Sequence, residues 1–246
     1  MPDAKTTAAL ALACLDLTSL NDGDTPADIE ALCQRAQGPF GHTAAVCVWP
    51  RFAAQARALL PASVNVAAVA NFPDGSSDVE RAVRDTAEIV AAGAQEVDVV
   101  IPYRDLAAAP ALLAAVRRAC AGLKLKVILE TGELQDAALI RRACGIALDA
   151  GADFLKTSTG KVKVNATLEA AALLLAAIRD GGHKTVGFKP AGGIRTVADA
   201  AAFIALTEAH LGRVTPQRFR IGASGLLNDI EAVLGGGRAA ATTASY

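Results

Sequence analysis

A single α/β domain closed as a (β/α)8 TIM barrel is predicted by three features of the chain. Short β-branched runs alternate with longer alanine-rich amphipathic segments from one end to the other, the pattern of strands and helices in a parallel sheet. Eight such alternations fit within 246 residues, close to the usual length of one barrel, about 250 residues. No linker or break in composition divides the chain. Residues 1–246 are therefore expected to form one domain, with 235–246 (GGGRAAATTASY) as a flexible tail. A doubly wound open sheet uses the same alternation and is the structural alternative.

The strand-like runs are Cys14–Leu17, Ala44–Trp49, Val64–Ala70, Val97–Ile101, Lys126–Glu130, Phe154–Thr157, Thr185–Pro190 and Phe219–Ala223. Each is followed by helix signals. Thr25 before Pro26 is an N-cap with Pro at the first helical position. Ser77 and Glu80 have capping-box spacing. Gly93, Gly122, Gly151, Gly181 and Gly212 are expected to end helices, where glycine adopts a left-handed conformation at least cost. The junctions AAGAQEVDVV (91–100) and DAGADFLKTS (149–158) echo one another as helix end, tight turn, acidic residue and buried strand. That echo fits reuse of one βα unit.

Composition excludes several classes of function. The formal charge of −1 provides no basic footprint for nucleic acid and no polybasic patch for a membrane surface. No apolar run reaches membrane-spanning length. The start, MPDAKTTAALALACLDLTSL, has too short an apolar core for a signal peptide. Five cysteines without C-x-x-C spacing read as reduced thiols, and the cytoplasm is the expected compartment.

Ionisable residues fall at telling places. In such a barrel the C-terminal strand ends surround the active site. Asp16 comes with the first short strand, Cys47 lies near the end of the second, and Asp98 sits inside the fourth. Glu130 closes the fifth, Lys156 the sixth and Lys189 the seventh. Buried charges are costly unless paired, so five charges converging from separate strands require a chemical reason. A lysine of pKa ~10.4 is neutral in only about one molecule in a few thousand at pH 7. A nucleophilic lysine needs that value lowered by roughly three units, about 4 kcal/mol of destabilised charge. Burial supplies part of this for Lys156, and a second cation, Lys189 on the next strand, supplies more. Asp98 is then a proton carrier. The plainer alternative makes both lysines anion ligands, or has them snorkel to solvent. Cys47 reads equally as a packing thiol.

A second constellation suits a phosphate. AGGIRT (191–196) puts Gly192 and Gly193 ahead of a helix capped by Thr196. GASG (222–225) puts Gly222, Ser224 and Gly225 at the start of the last helix. Glycines admit close backbone approach, and free amides at helix starts bind anions. Loops after strands 7 and 8 are the habitual phosphate site of barrels. Lys161, in TSTGK, can add a point charge from the loop after strand 6, and Thr159 in the same loop is a further substrate-binding candidate. TSTGK lacks P-loop spacing, no G-x-G-x-x-G follows the first strand, and His42, His183 and His210 have no metal-ligand spacing. No metal and no cofactor are expected.

The ordered set LDLTSLNDGDT (15–25), AAVCVWPRF (44–52), EVDVVIPYR (96–104), DFLKTSTGKVKVNAT (153–167), VGFKPAGGIRT (186–196) and RFRIGASGLL (218–227) resembles the deoxyribose-phosphate aldolase family of class I aldolases. It is most similar to the bacterial branch with a C-terminal tyrosine. The resemblance implies reversible cleavage of 2-deoxy-D-ribose 5-phosphate to D-glyceraldehyde 3-phosphate and acetaldehyde, in deoxyribonucleotide catabolism. It implies a Schiff base on Lys156, perturbation by Lys189, a proton relay through Asp98, and Asp16 and Cys47 near substrate. Gly160, Lys161, Gly192, Gly193, Gly222 and Ser224 would meet phosphate, and Tyr246 would reach the site for proton transfer. Gly225 departs from the family pattern, which has a second serine there. The partners expected are phosphosugar and aldehyde small molecules, with no nucleic acid or membrane, and a homodimer is the assembly considered. The competing readings are another Schiff-base phosphosugar aldolase or transaldolase, and a non-catalytic phosphosugar-binding barrel.

Overall fold

The computed structural model describes residues 3–237. Its first element is a helix absent from the expected alternation, α1 (Ala4–Ala13), capped by Asp3 accepting from the Thr6 amide. The strands β1 (Leu15–Thr18), β2 (Ala45–Val48), β3 (Asn65–Ala70), β4 (Glu96–Val100), β5 (Lys124–Ile128), β6 (Phe154–Lys156), β7 (Gly187–Lys189) and β8 (Ile221–Ala223) follow in turn. Between them run α2 (Pro26–Arg35), α3 (Pro50–Leu59), α4 (Val79–Ala91), α5 (Ala109–Ala119), the single-turn α6 (Thr131–Leu134), α7 (Ala137–Asp149), α8 (Leu168–Asp180) and α9 (Val197–Leu211). Helix α10 (Leu226–Leu234) closes the series. The eight expected strands are the eight observed, each trimmed or shifted by a residue or two.

All eight strands are parallel, in the order β7-β6-β5-β4-β3-β2-β1-β8. Pairing of β1 with β8 and the parallel bridges Phe188–Phe219 and Ala191–Gly222 bring the ends of the sheet together. The ring is a barrel, not an open sheet. The α1 helix packs on α9 and α10, completing the outer helical layer beside β8. Apolar residues of every strand and of the helices' inner faces make one continuous core, as a sheet covered on both faces requires. Among the described residues, no helix is long and apolar enough to cross a membrane.

Local chemistry explains the boundaries and corrects three expectations. Thr25 caps α2 in a full capping box with Asp28, with Pro26 at the first helical position. Helix α4 is capped one residue later than Ser77, by Asp78 accepting from the Arg81 amide; the Ser77–Glu80 box is not made, and the Ser77 hydroxyl donates instead to Asp105. The left-handed residue after α8 is Gly182 (φ +70°), whereas Gly181 remains helical as the C-cap (φ −76°). Glu130 does not close a strand. It stands two residues beyond β5, in a left-handed conformation (φ +54°), as the N-cap of α6.

Candidate active site

Alternation along each strand sends every second side chain into the barrel. On β4 that rule points Glu96 and Asp98 inward together. On β5 it places Lys126 opposite Asp98 in register, and between β6 and β7 it sets Lys156 opposite Lys189. Small residues make the room. A Cβ on Gly222 would approach Lys189 Cε to 3.1 Å, and one on Gly187 would strike the Phe154 ring at 2.3 Å.

The inward charges form one buried cage. Lys189 Nζ donates to Asp16 Oδ2 (2.5 Å) and to Asp98 Oδ2 (2.8 Å). Lys156 Nζ donates to the same Asp98 oxygen at 2.8 Å. The expected trio of Lys156, Lys189 and Asp98 is therefore assembled, with Asp16 on its flank. Cys47 sits against it, its Sγ 3.9 Å from Asp98 Oδ2. Burial pushes the Cys47 thiol upward, so it is a neutral neighbour of the carboxylate.

Three members of the cage were not anticipated. Lys126 Nζ lies 2.6 Å from Glu96, 2.7 Å from Asp98 and 3.3 Å from Asp16. Arg220 donates to Asp16 Oδ1 (2.7 Å) and to both oxygens of Glu96 (2.8 and 3.1 Å). Its guanidinium also lies 5.6 Å from the centre of the Phe154 ring. These residues lie lower in the barrel than the strand ends, so a search confined to the mouth passes over them. The available signal was alternation: Glu96 is two residues before Asp98, and Arg220 two before Gly222.

The protonation directions follow from these contacts. Burial opposes charge on every group. For Asp98 it is the largest single influence, yet Lys126, Lys156 and Lys189 together hold the carboxyl well below the ordinary range. The same balance, through Lys126, Lys189 and Arg220, depresses Asp16. Burial also presses Lys189 toward neutrality, but Asp16 and Asp98 overcome it and raise the ammonium's value. Lys156 is the exception. Burial dominates, the single carboxylate Asp98 does not offset it, Lys189 adds repulsion, and the pKa is lowered. Charge is thus disfavoured on Lys156 and favoured on Lys189, the order a nucleophile and its neighbouring cation require.

Depressed carboxylates carry a stability signature. A carboxyl whose folded pKa lies below its unfolded value contributes stability that is complete above the unfolded value and is lost as pH falls through the folded one. The stability lost in an Asp16→Asn variant should thus be constant from neutrality to about pH 4 and shrink below it. Urea unfolding at a series of pH values measures this; a pH-independent difference would remove the ionic account of Asp16.

Above the cage opens a cavity of ≈ 660 Å³. Of the cage residues only Lys156 lines it. Its walls include Thr159, Gly160, Lys161, Gly192, Gly193, Gly222, Ser224 and Gly225, so the expected phosphate group is brought together around one mouth. Lys163 and Arg195, not anticipated as site residues, add two further cations to the lining. Glu130 stands apart from the cage: its carboxylate accepts from the Thr159 hydroxyl (2.5 Å) and amide (3.2 Å). Thr159 Oγ1 in turn accepts from the Lys161 amide. Glu130 thereby shapes the loop after β6. Lys161 Nζ donates to the Leu20 carbonyl at 2.6 Å, which ties this loop to the one after β1.

One expectation about the anion site is corrected. The start of α9 is not open, because the amides of Arg195 and Thr196 donate to Asp199 and that of Val197 to Asp229. Two carboxylates already occupy that helix end. The start of α10 differs: Gly225 is its N-cap and provides no side-chain cap, and it faces the cavity. The amides suited to an anion are those of the β8–α10 turn and the loop glycines. Tyr246 lies outside the described residues.

A closed parallel barrel with a buried lysine at the floor of a mouth walled by glycines and cations defines a class, the TIM-barrel enzymes. Residues 10–231 match the model of the DeoC/LacD family of aldolases, and the chain belongs to that family. It is 54% identical, over 97% of its length and 96% of the relative's, to the deoxyribose-phosphate aldolase of Agrobacterium fabrum. A Toxoplasma gondii ME49 crystal structure, of a protein assigned as a deoxyribose-phosphate aldolase, superposes with a TM-score of 0.85 at 25% identity, covering 94% of this chain and 95% of that one. The tetrameric deoxyribose phosphate aldolase of Aeropyrum pernix shares the fold, with a TM-score of 0.76 at 23% identity over 95% and 94% of the two chains.

Proposed function

We propose that this chain is a class I aldolase that reversibly cleaves 2-deoxy-D-ribose 5-phosphate to D-glyceraldehyde 3-phosphate and acetaldehyde, working in the cytoplasm as a homo-oligomer. The observation that carries the reading is Lys156: a buried amine, held 2.8 Å from Asp98, exposed only at the floor of the cavity.

The neutral Lys156 amine adds to the C1 aldehyde, and loss of water leaves a protonated imine. That cation is an electron sink for the C2–C3 bond. Removal of the C3 hydroxyl proton, through a water held by Asp98, lets the C2–C3 electrons move toward the imine nitrogen. C3 leaves as the aldehyde carbon of glyceraldehyde 3-phosphate. The enamine left on Lys156 takes a proton at C2 and is hydrolysed to acetaldehyde, which restores the amine. Lys189, fixed by Asp16 and Asp98, keeps a positive charge beside the nitrogen and disfavours its protonation. The 5-phosphate is met by Lys161 and by the turn at Gly222–Gly225. No cofactor or metal enters this scheme. The curated relative's name supports the substrate, and the cage supports the chemistry.

Borohydride trapping with acetaldehyde, followed by intact and peptide mass spectrometry, tests the reading. A two-carbon adduct on Lys156, absent from Lys156→Met, is expected. No adduct in folded protein would favour a phosphosugar-binding barrel, and preference for dihydroxyacetone as donor would indicate another aldolase.

The cavity also sets a prediction for Gly225. A Cβ there meets nothing within 4 Å, so Gly225→Ser can add a hydroxyl at the phosphate turn without a clash. One added hydrogen bond of about 0.5–1.5 kcal/mol should lower KM for the sugar phosphate by roughly two- to tenfold, with kcat little changed. An unaltered KM would place the phosphate elsewhere.

A further inference from the structure

We propose that Lys126 and Glu96, neither of which touches the cavity, set the protonation state of Lys156 by fixing the charge balance of the whole cage. The inference rests on the reading of Lys156 as the imine-forming lysine. The cage contains the carboxylates Asp16, Glu96 and Asp98 and the cations Lys126, Lys189 and Arg220, joined by contacts of 2.5 to 3.3 Å. Three negative charges meet three positive ones. Lys156 is a fourth basic group in a neutral, dehydrated cluster.

Contacts decide which amine is surplus. Lys126 touches all three carboxylates. Lys189 and Arg220 each touch two. Lys156 touches only Asp98, through an oxygen that already accepts from Lys189. A buried charge without a counter-charge is expensive, so the least-paired amine gives up its proton. The other groups facing it do not alter the balance. Cys47 stays a neutral thiol because burial disfavours its charge, Glu130 acts on Lys156 only through space and more weakly than Thr159 acts on Glu130, with no ion pair between them, and β3 (NVAAVA) presents no titratable side chain.

Lys126 therefore acts as a positioning residue for a proton rather than for substrate. Without it, Asp98 would turn to Lys156 for charge and hold the ammonium. Without Glu96, the cage would carry a surplus positive charge that drives Lys156 further toward the amine. Removing the two together restores the balance.

The midpoint of Lys156 deprotonation can be read independently of aldolase activity, by trace acetic anhydride labelling across neutral to alkaline pH with peptide mass spectrometry. Lys126→Met should raise the midpoint by at least about one pH unit, and Glu96→Gln should lower it by a similar amount. The double variant should return close to the wild-type value, and Lys126→Arg should stay near it. The acid limb of the cleavage rate should move in the same senses. Single variants that shift the midpoint in the same direction or not at all, or a double variant that fails to restore it, would overturn the proposal. If Lys126→Met does not fold, the sign of the Glu96→Gln shift decides. Midpoints that follow the charge count in a protein forming no acetaldehyde adduct would sink the aldolase reading and leave the charge balance standing. An adduct with midpoints that ignore the count would do the reverse.

Discussion

Replacing Lys156 by Met is expected to lower kcat by at least about 10³-fold, because among the described residues Lys156 is the one buried lysine that lines the cavity, Lys161 and Lys163 being exposed. The variant should nevertheless be at least as stable as wild type. Lys156 is the one cage member whose charge is disfavoured in the fold, and its side chain is only 3% exposed. A group with a lowered folded pKa costs stability wherever the unfolded chain binds the proton more tightly. Stability therefore rises with pH between the folded and unfolded values. Methionine removes that dependence while filling similar volume. Thermal unfolding at neutral pH, beside a steady-state assay, tests both halves. A large stability loss, or retained turnover, would contradict the reading of Lys156 as a buried nucleophile whose charge the fold disfavours.

Asp98→Asn should fail in both respects. Asp98 accepts from Lys126, Lys156 and Lys189 at 2.7–2.8 Å. The amide keeps the shape and removes the charge, leaving the cations short of one partner. Breaking a buried ion pair from one side costs about 3–5 kcal/mol, so the urea midpoint should fall substantially. Loss of the proton carrier should remove a further ~10²–10⁴-fold from the cleavage rate. Single-turnover measurements separate the two steps that Asp98 serves. Imine formation should be less affected than C2–C3 cleavage, and equal losses would make Asp98 a structural counter-charge only.

Much of this was legible in the chain because it rests on short-range rules. Alternation of strand and helix predicted the barrel, and lysines at the ends of two neighbouring strands predicted the Lys156–Lys189 pair that the register sets side by side. What was missed depended on partners distant in sequence. The strand near Thr185 begins instead at Gly187, because ladder pairing with β6 rather than β-propensity sets its length. Lys126 opened an expected strand, where a lysine ordinarily reaches solvent; only closure of the barrel puts Asp16, from 110 positions earlier in the chain, beside it. The expected anion site at the start of α9 failed similarly. Asp199 could be foreseen from local spacing to Thr196, but Asp229 arrives from α10.

The separation of the ion cage from the mouth has a consequence for how such an enzyme can change. The groups that move protons and electrons lie on strands, locked by mutual charge, and a substitution among them disturbs all the rest. The groups that line the mouth are turns and exposed cations, and one of them, Gly225, has open space where a side chain could be added. Acceptor preference should accordingly drift, or be redesigned, through the β8–α10 turn, Lys163 and Arg195 while the reaction itself stays the same. Lineages and laboratory selections are both expected to explore new substrates at the rim and to leave the interior as an inherited constant.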